Sequence, residues 1–512
     1  MRSNSRKLPL ILQPMFCGLL LAAFWACESS PAVARAGVGG GMGLMNGSAE
    51  EAAGTSQEPR QHIPAARRGA RKIVVRPSGK PGRNAGNEDR GGSRHHRVVD
   101  PGSGGTEGPN VSESSTRGTG GNSGRSGVPP NGEQRFVPDE ILTEFGPNAT
   151  PQSIDQIARR YDLTRLQSQS LPLIGSTVYR WRVGGRRTAA EVIGAIENER
   201  TVSSAQPNYI FTLQEQAATI ADDGQEEAAQ YVLSKLQIKQ AHQLATGKNT
   251  LVAVIDSEID AKHPDLAGTI VKSFDASSGN TNPDKHGTAI AGAIASHGKL
   301  LGIAPSAQLL VARAFDDAAV GGNGTSFAVY KALQWAEDYH ARVVNMSFAG
   351  PPDPAMHRML TAAYEKGIVL IAAAGNAGPN SPPLYPAADP DVIAVAATDS
   401  NDGLFNMSNR GEYIAIAAPG VDIIAAAPAE SYQVTTGTSV AAAHVSGVVA
   451  LLLESKPSLN PKDIRAILMA SATRSENGRH PTAAGLVNAY RAVYSLNGNS
   501  IDKNDGDDQA KR

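Results

Sequence analysis

The chain has 512 residues, with 48 Lys and Arg against 49 Asp and Glu and a formal net charge of −1. This length allows more than one domain, and the balanced charge excludes a bulk electrostatic attraction to nucleic acid. Both cysteines, Cys17 and Cys27, lie near the N-terminus, so the rest of the chain contains no disulfide bond.

Residues 1–36 have the features of an export signal. Basic residues precede an apolar stretch from about residue 8 to residue 26, and the Ala-Arg-Ala sequence at 34–36 is typical of a cleavage site. The apolar stretch is nearly long enough to span a bilayer, so a retained membrane anchor is the alternative. We expect export to the periplasm or the extracellular space, or membrane contact through this segment.

Residues 37–134 are rich in Gly, Ser, Pro and Arg and contain almost no aromatic residues. A segment of this composition buries too little apolar surface to fold, so we predict a disordered linker. Its basic cluster at 94–97 allows contact with an anionic cell surface, although a solvated linker is the favoured interpretation.

Residues 135–213 have the pattern of a compact α+β domain. We predict strands over residues 140–145, 165–173, 177–183 and 202–211, with helices that begin after the N-cap residues Thr150 and Thr188. The resulting order, βαββαβ, is ferredoxin-like. The acidic, Gln-rich residues 214–230 are predicted to form an exposed connection to the next domain.

Three later segments contain the residue types that nucleophilic catalysis requires. An apolar run that ends at Asp256 predicts a buried parallel strand. His286 and Ser439 each precede a run of small apolar residues, which predicts that each opens a buried helix. Sites in open α/β sheets form outside the carboxyl ends of the strands, where these side chains can meet. The order Asp, His, Ser is a known order of the catalytic triad, although an N-cap role is the alternative for Ser439.

Seven motifs carry a family resemblance, and they occur in order between about residues 235 and 496, roughly half the chain. They are Val-Ala-Val-Ile-Asp ending at 256, His-Pro-Asp-Leu at 263–266, His-Gly-Thr at 286–288, Gly-Ile-Ala-Pro at 302–305, Val-Asn-Met-Ser-Phe at 344–348, Ala-Ala-Gly-Asn at 373–376 and Gly-Thr-Ser at 437–439. This region resembles the subtilisin-like serine proteases, or subtilases. The resemblance implies a doubly wound, mostly parallel α/β sheet flanked by helices over residues 231–497, followed by a polar tail at 498–512.

The resemblance also implies a serine endopeptidase that cleaves polypeptide substrates through an acyl-enzyme. Ser439 would be the nucleophile, His286 the general base and Asp256 the residue that orients the imidazole. Asn376 and the Ser439 N–H would form the oxyanion hole. For Asn376, a turn residue between neighbouring glycines is the alternative interpretation.

The substrate would lie between two backbone edges of small residues, one formed by Gly322, Asn323 and Gly324 and the other by Ser347, Phe348, Ala349 and Gly350. Ala349 stands where the family usually has Gly. It predicts a narrowed pocket that disfavours the bulkiest side chains before the cut; ordinary strand-end packing is the alternative.

A domain such as 135–213 before a subtilase domain resembles the family's inhibitory propeptide, which would be an intramolecular partner of the enzyme. The resemblance implies that its C-terminal tail lies in the substrate cleft until self-cleavage within or just before residues 214–230. An unrelated α+β binding domain is the alternative.

Two departures from the family pattern matter. Glu258 replaces a Gly and adds negative charge near the triad, where it either raises the pKa of His286 slightly or points into solvent. A catalytically silent binding protein on the same fold is therefore the alternative function.

The loop at 296–301 that holds calcium in many subtilases is shortened, and Asp265 matches a ligand position without its partners. We expect no cofactor, with calcium still possible. His444, inside the Ser439 helix, is predicted to be a core residue.

Overall fold

The computed structural model describes residues 126–214, 216–218, 230–277, 281–316, 322–474 and 485–496. The predicted export signal, most of the predicted linker and the predicted polar tail lie outside these residues. The described part begins nine residues before the predicted domain boundary at residue 135. There the Ser126 hydroxyl donates to the Glu197 carboxylate at 2.6 Å, a contact that Gly-rich composition alone does not reveal.

The first domain has the predicted βαββαβ order. Its elements are β1 (Phe136–Phe145), α1 (Pro151–Arg160), β2 (Leu163–Leu171), β3 (Ser176–Val183), α2 (Ala189–Ile196) and β4 (Val202–Leu213). The strands form an antiparallel sheet in the order β4-β1-β3-β2. Thr150 and Thr188 are the N-caps of the two helices, as predicted, and both act through capping boxes. The last strand, β4, continues two residues beyond its predicted end at Phe211.

The second domain contains a parallel sheet of seven strands. They are β6 (Leu251–Asp256), β7 (Ile270–Asp275), β8 (Gln308–Arg313), β10 (Val343–Met346), β12 (Val369–Ala373), β13 (Val392–Thr398) and β14 (Ile414–Pro419). Their order is β14-β13-β12-β10-β6-β8-β7. The central strands are buried on both faces, which explains why their sequences are apolar without alternation.

Helices cover both faces of this sheet. One face holds α3 (Tyr231–Lys235), α4 (Ile238–Ala241), α5 (Lys285–Ala295), α8 (Thr438–Ser455), α9 (Pro461–Ser471) and α10 (Ala489–Ser495). The other face holds α6 (Ser326–Asp338) and α7 (Pro354–Glu365). Within β6, Val252 and Val254 belong to the first core and Ala253 and Ile255 to the second, as the alternation of side chains along a strand requires.

Helix α8 is the central helix of the first core. In the described part of the chain it is the one helix long and apolar enough to cross a membrane, but 89% of its apolar window is buried inside the fold. The burial identifies it as a core helix, and its small residues allow α5 and α8 to pack closely.

Five short strands lie at the carboxyl edge of the parallel sheet. Strands β5 (Gln216–Ala218), β15 (Ile423–Ala427) and β16 (Ser431–Thr436) form an antiparallel sheet, and β9 (Asn323–Thr325) and β11 (Phe348–Ala349) both pair with β4. The chain moves from β8 on one side of β6 to β10 on its other side, so the crevice between β6 and β10 is a topological switch point. The functional groups gather at this crevice.

Candidate active site

Asp256 and His286 form a buried pair at the carboxyl edge of the sheet. Asp256 is the last residue of β6, and His286 lies in the first turn of α5. His286 Nδ1 lies 2.7 Å from Asp256 Oδ1, and both side chains are at most 1% exposed. A carboxylate at this position favours the tautomer with the proton on Nδ1, so Nε2 is the nitrogen able to accept a proton.

Asp284, which was not singled out from the sequence, fixes the start of the His286 helix. Its carboxylate accepts the N–H of His286 at 3.0 Å and the hydroxyl of Ser257 at 2.6 Å. Ser257 also donates its backbone N–H to Asp256 Oδ1 at 2.8 Å. The N-cap therefore links the two members of the pair. An Asp two residues before an apolar helical run is an N-cap signature that could have identified it.

Ser439 lies in the first turn of α8, where helices have unpaired N–H groups and partial positive charge. Its side chain is buried, and its Oγ lies 2.6 Å from the carbonyl oxygen of Gln214 and 3.0 Å from that of Ser347. The serine thus faces a backbone carbonyl of the first domain. Its helix begins at Thr438, one residue before the predicted start.

The Asn376 amide is fixed with its nitrogen toward the same turn. Asn376 Oδ1 accepts the N–H of Thr438 at 3.0 Å and its hydroxyl at 2.9 Å. Asn376 Nδ2 is buried and has no hydrogen-bond partner among the described residues. A methyl group added at Gly437 would lie 2.9 Å from this nitrogen. A buried donor without a partner is costly, and an oxyanion beside Ser439 is the acceptor that this position suits.

The end of β4 occupies a cleft between two backbone edges. Thr212 pairs with Asn323 of β9 on one side and with Ala349 of β11 on the other. Leu213 donates its N–H to the Gly322 carbonyl at 3.1 Å. The seven residues predicted to bind substrate therefore form the two sides of one cleft. The end of β4 lies in this cleft and is antiparallel to both sides.

Gly350 lets an aromatic side chain enter this cleft. A methyl group at Gly350 would collide with the ring of Phe211, which is fully buried. The Phe211 ring packs edge-on against Phe348, with 5.8 Å between centroids. Ala349 is buried next to these residues, and the narrowed pocket predicted from its methyl group stays a prediction.

Comparisons with known proteins identify the second domain. A family model described as the subtilase family matches residues 247–490. Thermitase from Thermoactinomyces vulgaris is 36% identical over 272 residues, which cover 52% of this chain and 95% of thermitase. The chain belongs to the subtilase family. It is a subtilisin-like serine protease, and the fold expected from the resemblance is confirmed.

The first domain of this subtilase is a fervidolysin-like prodomain. A model of the fervidolysin N-terminal prodomain matches residues 123–208. Fervidolysin from Fervidobacterium pennivorans is 37% identical over 294 residues, covering 50% of this chain but only 42% of fervidolysin. The crystal structure of fervidolysin, described as a keratinolytic enzyme related to subtilisin, superimposes with a TM-score of 0.60 and 28% identity, over 72% of this chain and 62% of that chain.

Glu258 of the subtilase pairs with a buried cation. Its carboxylate lies 3.5 Å from Nε of Arg313, which is fully buried and also contacts Asp275 at 2.7 Å. Arg313 is the register partner of Asp256 in the β6–β8 ladder. Burial raises the pKa of the Glu258 carboxyl, and Arg313 opposes that rise. The extra negative charge is thus countered locally, and the side chain does not simply point into solvent.

His444 is the core residue that the sequence predicts. It is buried, its Nδ1 lies 2.9 Å from the carbonyl oxygen of Pro419, and desolvation lowers its pKa to about 4. A buried neutral histidine whose ring nitrogen contacts a main-chain carbonyl does not compete for the role of base.

The Asp265 position does not fit a calcium ion. Asp265 is buried, and its two carboxylate oxygens accept the N–H groups of Lys299 at 2.8 Å and Leu300 at 3.0 Å. The hydroxyl of Tyr432 donates to the same carboxylate at 3.3 Å. Calcium requires roughly six to eight oxygen ligands. Here, N–H and O–H donors surround the carboxylate, so the shortened loop supplies the positive dipoles itself.

Proposed function

We propose that this subtilase is an exported serine endopeptidase that uses Asp256, His286 and Ser439 as its catalytic triad and processes its own precursor. One observation carries the proposal. Ser439 Oγ lies 2.6 Å from the carbonyl oxygen of Gln214, which directly follows the strand that enters the cleft as a substrate would. The buried Asp256–His286 pair lies at the same edge of the sheet.

The first half-reaction acylates Ser439. Its Oγ attacks the carbonyl carbon of the scissile bond, and its proton passes to His286 Nε2. Asp256, 2.7 Å from Nδ1, stabilises the resulting imidazolium. The Asn376 amide and the Ser439 N–H stabilise the oxyanion of the tetrahedral intermediate.

Acylation is complete when His286 has given its proton to the leaving amine and the C-terminal fragment, with its new N-terminus, has departed. The second half-reaction hydrolyses the acyl-enzyme. A water molecule then attacks the ester carbonyl while His286 accepts its proton, and Ser439 is regenerated. Every proton transfer in this cycle uses a side chain of the protein, so the proposed chemistry needs no cofactor.

The prodomain inhibits the enzyme by occupying its cleft. Hydrogen bonds to β9 and β11 hold β4 in the place of a substrate, a form of β-augmentation. Residues 135–213 would thus be the inhibitory prodomain, and residues 231–497 the peptidase domain. The basic and apolar start of the chain supports export, with a retained membrane anchor as the alternative.

A fluorophosphonate probe tests the proposed nucleophile. We expect the processed protein to be labelled and the Ser439→Ala variant to be unlabelled. Ser455→Ala is the matched control, since Ser455 lies in the same helix and its hydroxyl bonds only to the Leu451 carbonyl in the described structure. Absence of labelling in folded, processed wild-type protein would indicate the silent binding protein instead.

Precursor accumulation tests self-processing. We expect Ser439→Ala to accumulate uncut, while Ser455→Ala is cut like the wild type. The measurement is the intact mass of each protein after expression in a host without other suitable proteases. Normal trimming of Ser439→Ala in that host would contradict self-processing.

A further inference from the structure

We infer that maturation cuts the chain directly after Gln214 and that Phe211 sets this register. The inference rests on the proposed self-processing function and names its bond. Ser439 Oγ would form an ester with the Gln214 carbonyl carbon, and the bond from that carbon to the nitrogen of residue 215 would break. The serine proton would pass through His286 to that nitrogen. Water would then release a prodomain that ends in the Gln214 carboxylate.

The Gln214 backbone is held on both sides at the nucleophile. Its N–H donates to the Ser347 carbonyl at 3.3 Å, and its carbonyl oxygen lies 2.6 Å from Ser439 Oγ. Among the prodomain residues that the structure describes, Gln214 is the one whose carbonyl meets that hydroxyl. The carbonyl also lies against Gly437, where a methyl group would collide with it.

The side chain of Gln214 is bound as well. Its Oε1 accepts the backbone N–H of Asn376 at 2.9 Å, so the residue before the cut contacts the strand end that carries the oxyanion donor. Its Nε2 lies 3.0 Å from the Thr212 carbonyl oxygen. The side chain directly before the proposed cut is therefore a polar amide bound by Asn376. The apolar contact with the cleft is made further upstream, by Phe211.

The chain beyond the proposed cut is paired too. The backbone of β5 forms an antiparallel ladder with β16, in which Gln216 lies opposite Thr436 and Ala218 opposite Val434. Strand β16 leads directly into Gly437 and the Ser439 helix. Backbone pairing on both sides of Gln214 keeps this carbonyl at Ser439, rather than a later one in the acidic connection.

Phe211 determines which carbonyl arrives there. Its ring is fully buried against Phe348 and over Gly350, while its backbone lies opposite Gly324 in the β4–β9 ladder. A slip of one residue would move this ring to the opposite face of the strand. A slip of two would bring Leu213 to its place and leave part of the space unfilled. Both slips bury the phenyl ring less well than the observed register does.

The position of the first cut is measured on the full-length precursor. We expect the first new C-terminus in a time course to be that of Gln214, detected by mass spectrometry in heavy-oxygen water, which marks carboxylates formed by hydrolysis. A first cut at any other bond, in protein that a fluorophosphonate labels at Ser439, would overturn the inference and leave the proposed function intact. Absence of labelling would instead count against the proposed function.

The role of Phe211 is tested by substitution. We expect Phe211→Ala to slow the cut after Gln214 at least about tenfold or to move it, because the pocket loses its ring. Gln156→Ala is the control, since Gln156 is exposed on α1 and lies outside the strand that enters the cleft, and its rate should stay near that of the wild type. Equal rates and the same cut for both variants would overturn the register role.

A peptide assay keeps the test decisive if Phe211→Ala does not fold. Mature wild-type enzyme is given two coumarin amides, Phe-Thr-Leu-Gln and Ala-Thr-Leu-Gln, which copy residues 211–214 with and without the ring. We expect kcat/KM for the first to exceed that for the second at least about tenfold. Equal kcat/KM values would overturn the assignment of Phe211 as the anchoring residue.

Discussion

Asn376 has two different environments at the two ends of its amide. Its oxygen accepts two hydrogen bonds from Thr438, whereas its buried nitrogen has no acceptor among the described residues. At the residue scale this asymmetry supports the proposed oxyanion role over a turn role, because a turn residue does not require a buried donor without an acceptor. The sequence motif identified Asn376, and the hydrogen bonds from Thr438 fix the orientation of its amide.

Asn376→Leu should therefore lower kcat by roughly 10²–10³, with little change in KM, because the lost hydrogen bond forms mainly in the transition state. Steady-state kinetics on a peptide amide measure the effect. The thermal unfolding midpoint of the variant is the control for damage to the turn. An unchanged kcat in folded protein would show that Asn376 does not stabilise the oxyanion.

His444 carries a pH dependence that belongs to stability and not to catalysis. Burial lowers its pKa from 6.5 to about 4, so the unfolded chain binds a proton over a range in which the folded chain does not. Stability due to this group is therefore lost as the pH falls from about 6.5 to about 4. The full loss is roughly 3 kcal/mol.

His444→Gln keeps a donor for the Pro419 carbonyl but does not titrate. As the pH is lowered from about 6.5 to about 4, the free energy of unfolding should decrease for both proteins. We expect the decrease to be smaller for the variant than for the wild type, by up to roughly 3 kcal/mol. Urea unfolding in a Ser439→Ala background measures it without autolysis. His340→Asn is the control, since His340 is exposed at a positive φ that Asn tolerates. Parallel pH curves for His444→Gln and the wild type would contradict the assignment.

At the scale of elements, helix starts organise the active site, and one tight turn encloses the Asp265 carboxylate. The N-cap Asp284 holds the His286 helix and reaches Ser257, and Gly437 opens the Ser439 helix against the incoming carbonyl. The turn after α5 folds over Asp265, whose carboxylate accepts two main-chain N–H groups. The family resemblance indicated that this loop is short, and its own N–H groups supply positive dipoles beside the carboxylate.

Asp265→Ala should destabilise the enzyme by roughly 1–3 kcal/mol, because two main-chain N–H groups, of which that of Leu300 is buried, lose their acceptor. Asp265→Asn, which keeps one acceptor oxygen, should lose less. The thermal unfolding midpoint of each Asp265 variant is compared with that of the wild type, all in a Ser439→Ala background. We expect each difference in midpoint to be the same with excess chelator as with added calcium. A calcium-dependent gain present in the wild type and absent in Asp265→Ala would contradict the assignment.

At the scale of the whole molecule, the prodomain contacts the peptidase domain in two ways. Its strand β4 pairs with β9 and β11, and its polar side chains form an interface with two peptidase helices. Prodomain side chains reach the first turns of two peptidase helices: Asn208 accepts the Phe327 N–H of α6, and Gln206 accepts the Ala355 N–H of α7. Gln206 also donates to Asp353 at 2.8 Å, a buried carboxylate that caps α7. The interface thus satisfies helix ends that removal of the prodomain exposes to water.

Gln206→Ala should weaken inhibition of the mature enzyme by the added prodomain by roughly 10- to 100-fold, because a hydrogen bond to a buried carboxylate is lost. The inhibition constant for the prodomain fragment against peptide cleavage measures it. Gln156→Ala is the matched control, at an exposed position of α1. An unchanged constant for Gln206→Ala would show that β4 in the cleft supplies nearly all of the binding.

Local patterns were enough to predict much of this protein. Runs of apolar residues predicted the buried strand that ends at Asp256 and the helices that open near His286 and Ser439, and capping residues located both prodomain helices. These features depend on neighbours within one or two turns of chain, so the sequence by itself determined them. The order of the motifs then determined the family.

Contacts between distant residues were decided by the tertiary structure alone. Gln214 and Ser439 are 225 positions apart, yet the Gln214 carbonyl lies 2.6 Å from the serine. Arg313 joins Glu258 because β8 lies beside β6 in the sheet. Packing and strand register set these distances, and no local pattern encodes them. The triad residues and Asn376 can therefore be named from the sequence, but the bond placed before the nucleophile follows only from the fold.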